Sequence, residues 1–70
     1  MSNWPASKAK RVRAALERIG WYTKRVRGSH VLLSRPDWAD YEFSFHEGDE
    51  IGPKMLARIA KRTGLRPQDL

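Results

Sequence analysis

Six residues, Tyr41-Glu42-Phe43-Ser44-Phe45-His46, alternate apolar and polar without a break. Period two is the signature of a strand with one buried face. Tyr41, Phe43 and Phe45 must turn towards a core, and Glu42, Ser44 and His46 away from it. A half-buried strand needs other strands beside it and a layer over its aromatic face. The chain has 70 residues with which to supply both, room for a single domain over 1–70 with residues 1–6 as a flexible tail.

The flanking segments fit that demand. Ser7 is the expected N-cap of a helix. Ala9, Val12, Leu16 and Ile19, with Ala15 beside them, recur at helical spacing over about 7–19, and Gly20 stops the run. Trp21 to Val26 is aromatic, β-branched or long and basic, which suits a strand entering the core at Trp21. Gly28-Ser29 offers a tight turn. His30 to Ser34 carries Val31, Leu32 and Leu33 as a second strand, and Arg35-Pro36-Asp37 reverses the chain into the alternating third. After an acidic loop, Glu47-Gly48-Asp49-Glu50, Pro53 suits the first turn of a second helix. Met55, Leu56, Ile59 and Ala60 form its apolar side as far as Thr63, Gly64 ends it, and Leu65, Pro67 and Leu70 fold back as a short tail. The order helix, three strands, helix predicts an α+β two-layer sandwich, α-β-β-β-α. Order and length resemble the double-stranded-RNA-binding domain, a fold that hosts several functions.

Charge narrows the partner. Lys and Arg number 14 against 8 Asp and Glu, a net +6, which favours a polyanion. No apolar run approaches the roughly 20 residues of a spanning helix, and Met1-Ser2-Asn3-Trp4-Pro5 lacks the basic and apolar regions of a secretory signal. A cytoplasmic protein without membrane contact is expected. With no cysteine, neither a disulfide nor a thiolate zinc site can staple a domain this small.

The chemistry concentrates at His30. It follows Gly28-Ser29, and Lys24, Arg25 and Arg27 precede it closely. Histidine can act as acid or base near neutrality, cations stabilise phosphate charge that builds up in a transition state, and Gly28 has no side chain to obstruct RNA. These are the parts of a metal-free RNA cleaver, with Lys24, Arg25, Arg27, Gly28 and Ser29 binding RNA or phosphate. The bland alternative is a structural or merely exposed histidine. His46 is a second candidate acid/base or substrate contact, set against a residue that only ends its strand. A two-histidine zinc site lacks further ligands at suitable spacing. Lys54, Arg58, Lys61 and Arg62 share one helix face. That face is either solvated or contacts phosphate or an acidic partner. Trp4 and Trp38 fall in segments expected to be exposed, where they can meet RNA or a partner.

Leu16-Glu17-Arg18-Ile19-Gly20-Trp21, Arg27-Gly28-Ser29-His30, Glu50-Ile51-Gly52-Pro53-Lys54-Met55-Leu56 and Ile59-Ala60-Lys61-Arg62-Thr63-Gly64-Leu65 together resemble the HicA family of mRNA interferase toxins. The similarity runs from about Arg13 to Leu70. It implies a double-stranded-RNA-binding-like fold, ribosome-independent cleavage of mRNA without a metal or other cofactor, a catalytic role for His30, and a HicB-like antitoxin that covers the site of a monomeric toxin. Two positions depart from the family pattern: Ser44 stands where a proline is frequent, and Lys54 where a small residue is common. Two other functions fit the residues alone, a non-catalytic RNA-binding module and a protein-binding module that docks through its basic face.

Overall fold

The helical periodicities resolve into two helices and the period-two run into a shorter strand in the computed structural model, which describes residues 3–70. In chain order these are β1 (Ser7–Lys8), α1 (Ala9–Arg18), β2 (Tyr22–Arg27), β3 (His30–Ser34), β4 (Tyr41–Phe43), β5 (Glu50–Ile51) and α2 (Pro53–Thr63), then a 3-10 turn at Pro67–Asp69. Strands β2, β3 and β4 form an antiparallel sheet in that order. Val31, Leu33 and Phe43 from the sheet share one core with Val12, Ala15 and Leu16 of α1 and Leu56 and Ile59 of α2. This is the expected α+β architecture, compatible with a double-stranded-RNA-binding-domain-like fold. All six residues of β2 are exposed, so the helices cover β3 and β4 and leave the outer strand of the hairpin bare.

The N-terminal segment differs from the sequence reading. Ser7 does not cap α1: Lys8 occupies the cap position without a side-chain bond. Ser7 is buried in β1 and donates its hydroxyl to the Pro5 carbonyl at 3.1 Å. β1 pairs with β5, Ser7 opposite Ile51. The first amides of α1, which have no acceptor within the helix, donate to this same region: Ala9 to the Asp49 carbonyl at 2.8 Å and Lys10 to the Glu47 carbonyl at 3.2 Å. The acidic stretch is thus partly strand and partly a backbone cap. Residues 1–2 of the expected tail lie outside the described residues. Trp4, expected to be exposed, is half-buried against the core.

Trp21 is buried as predicted, and its indole Nε1–H donates to the Thr63 carbonyl at 3.0 Å. Trp38, expected to be free, meets Trp21 edge-on with centroids 6.0 Å apart and carries the Arg35 guanidinium 5.3 Å from its ring; it keeps 40% exposure. The third strand ends at Phe43 rather than running to His46. Phe45 still packs, T-shaped against Phe43 at 5.1 Å. Leu65 is buried and Leu70 packs against the core, so the C-terminal tail does fold back.

Candidate active site

His30 is placed by a two-residue hairpin. Gly28 has φ +61° and Ser29 a negative φ, the signs of a type II′ turn, whose first central position favours glycine. A Cβ at Gly28 would meet nothing within 4 Å, so glycine is required here by backbone conformation rather than by crowding. The turn sets Arg27 opposite His30, Val26 opposite Val31 and Arg25 opposite Leu32. Since Val31 faces the core, Arg25, Arg27, His30 and Leu32 share the open face of the sheet.

The neighbouring strand completes the group. Leu32 pairs with Glu42 across β3 and β4, which brings the Glu42 carboxylate to His30. Nδ1 of His30 lies 3.0 Å from Glu42 Oε2 and 3.2 Å from Ser44 Oγ, and the Ser44 hydroxyl donates to the same Oε2 at 3.1 Å. A carboxylate only accepts, so Nδ1 carries the hydrogen, and Nε2 of the neutral ring holds a free lone pair. The hydrogen bond from His30, with that from Ser44 second, holds the Glu42 carboxyl below its ordinary value. The His30 and Glu42 side chains are each 58% exposed, so the ring is open to solvent.

Arg25, Arg27, His30, Leu32 and Glu42 line a shallow concavity of about 410 Å³. Among the described residues neither Arg25 nor Arg27 has a side-chain hydrogen bond or ion pair, so both are available to a phosphate. Lys24, expected with them, instead holds Asp40 Oδ2 at 2.9 Å. That bond, followed by one from Ser34, lowers the Asp40 carboxyl. Ser29 sits half-buried in the turn. His46 is exposed beyond β4, its backbone N–H donating to Asp49 Oδ2 at 3.0 Å; the side chains gathered on His30 are Glu42 and Ser44. Neither was a sequence candidate, although the alternation had put both on the polar face and only the strand register was missing. Among the described residues no three His, Asp or Glu side chains gather as a metal-ligand group, and no helix is long and apolar enough to cross a membrane.

Comparison with known proteins adds one finding. A family model described as the HicA toxin of bacterial toxin–antitoxin systems matches residues 9–65. A search of curated proteins found no match.

Proposed function

The chain belongs to the HicA toxin family of bacterial toxin–antitoxin systems, and from that premise we propose that it is a cytoplasmic endoribonuclease that cleaves mRNA with His30 as acid/base. The observation that carries this reading is the contact of Glu42 with His30 Nδ1, which leaves Nε2 unengaged in a hollow that Arg25 and Arg27 also line. Nε2 takes the proton of a ribose 2′-hydroxyl. The 2′-oxygen then bonds to the adjacent phosphorus, and the bond from phosphorus to the 5′-oxygen breaks. The leaving oxygen takes up a proton, from the imidazolium just formed or from water. The products are a 2′,3′-cyclic phosphate and a 5′-hydroxyl. Arg25 and Arg27 stabilise the extra negative charge on the phosphoryl oxygens as they pass the transition state. Gly28 and Ser29 keep the hairpin tip narrow enough for the backbone to pass, and His46 serves at most as an outlying substrate contact.

A HicB-like antitoxin is the proposed partner, silencing the monomeric toxin by covering the open sheet face. A positioned acid/base contributes on the order of 10²–10⁴ in rate. His30→Ala should therefore lose cleavage of a synthetic mRNA by that factor and should no longer arrest growth on induction. Cyclic-phosphate ends generated equally well by His30→Ala would remove His30 from the chemistry. Salt-sensitive RNA binding by the parent without any cleavage product would favour the non-catalytic binding module.

A further inference from the structure

A second concavity adjoins the first. It is of similar size, about 440 Å³, and is lined by Asp40, Tyr41 and Glu42 at the start of β4 and by Arg58, Lys61 and Arg62 of α2. The two hollows share Glu42. β4 is an edge strand, so a ligand crossing the open face from Arg25 and His30 passes over Glu42 and reaches α2 without leaving the surface. The basic stripe of α2 therefore divides: Arg58, Lys61 and Arg62 face this hollow and Lys54 does not line it.

The charges in the second hollow suit an anion. Its two carboxylates are already engaged, Asp40 by Lys24 and Glu42 by His30 and Ser44. Among the described residues its three cations have no hydrogen bond or ion pair. Tyr41 lies among them; burial raises its phenol above the ordinary value, against the opposing pull of Arg62, so the hydroxyl remains a donor at neutral pH.

We propose that Arg58, Lys61, Arg62 and Tyr41 form a phosphate-binding subsite for the RNA strand flanking the scissile position, joined to the His30 centre across Glu42. The proposal rests on the ribonuclease reading and adds where the rest of the substrate lies. A strand engaged at both hollows gains affinity that a dinucleotide, which fills only the first, cannot gain.

The test uses the full chain with Arg58→Gln/Lys61→Gln, exposed helix positions where glutamine preserves helix propensity. Thermal melting verifies the fold. Expected is a fall of about tenfold or more in the ratio of kcat/KM on a long single-stranded oligoribonucleotide to kcat/KM on a dinucleotide, carried by KM. Lys54→Ser, which removes one positive charge of the same helix outside the hollow, should keep the parental ratio. In a His30→Ala background, where RNA stays intact, the slope of log affinity against log salt should shrink by about 0.7 for each phosphate that the variant no longer neutralises. An unchanged ratio and an unchanged slope would overturn the subsite. So would a double variant that handles RNA normally but no longer binds antitoxin, since the face would then be a protein dock. If the parent cuts no RNA, the catalytic reading fails by itself, and the binding arm still decides the subsite.

Discussion

At the scale of single residues, the group around His30 works through one carboxylate. Glu42 fixes which ring nitrogen is free, and Ser44 holds the carboxylate in turn. The imidazolium formed in the reaction pairs with Glu42 in a solvent-exposed setting, and exposed charge pairs contribute little. Glu42→Gln should therefore lower the cleavage rate by only about fivefold, far less than His30→Ala, as single-turnover kinetics would show. A loss equal to that of His30→Ala would make Glu42 a reactive group itself. The contact also has a pH signature. Glu42 titrates below its ordinary value of 4.5 because of the His30 and Ser44 bonds. A depressed folded-state carboxyl stabilises the fold above its ordinary value, and that contribution disappears as pH falls through the folded one. The contact should thus persist at neutral pH and through the ordinary glutamate range, and break only below it. Carboxyl-carbon NMR should give Glu42 a midpoint under 4.5 that moves up towards that value in His30→Ala.

At the scale of elements, glycines separate two causes of the same requirement. Gly28 and Gly64 both have positive φ, +61° and +76°. A Cβ at Gly28 would stand in open space, whereas at Gly64 it would come within 2.8 Å of the Trp38 ring. Gly28→Ala should cost about 1 kcal/mol from backbone strain alone. Gly64→Ala should cost more, because the ring that packs on Trp21 must also shift. Urea unfolding of both variants would show the difference, and equal losses would mean that the ring yields freely. What could be read in advance follows the same logic. Helix α2 begins at Pro53 and ends before Gly64 as the sequence indicated, since proline and glycine punctuate a helix by local chemistry. The hairpin at Gly28-Ser29 was legible for the same reason. β1 and β5 were not: a two-residue strand has no periodicity, and Ser7 finds its partner only at Ile51. Ser7 was misread because its hydroxyl suits a cap, while the amides of α1 were met from a distant backbone instead. Glu42 and Ser44 were assigned to the correct face but not to His30, because register between strands belongs to the sheet and not to either strand alone.

At the scale of the whole molecule, Trp21 ties the end of α1 to the end of α2. It is buried, and its indole N–H satisfies the Thr63 carbonyl. Trp21→Phe keeps most of the apolar bulk but strips that buried carbonyl of its indole donor, a loss of about 1–3 kcal/mol. In a domain of this size each kcal/mol lowers Tm by about 4–8 °C, so calorimetry should register a drop of at least that much. A Tm unchanged by the substitution would mean that water replaces the indole.

The pairing of Ser7 with Ile51, together with the bonds from Ala9 and Lys10 to carbonyls at 49 and 47, also sets the order in which the protein can come into being. On a ribosome, the first helix emerges well before the backbone at 47–49 that completes its opening turn. Contacts this distant in sequence form late and slowly, so the opening turn of α1 stays uncapped until the backbone at 47–49 has been made. The His30 centre has a nearer requirement of its own, for its ring has no partners until Glu42 and Ser44 have followed it out.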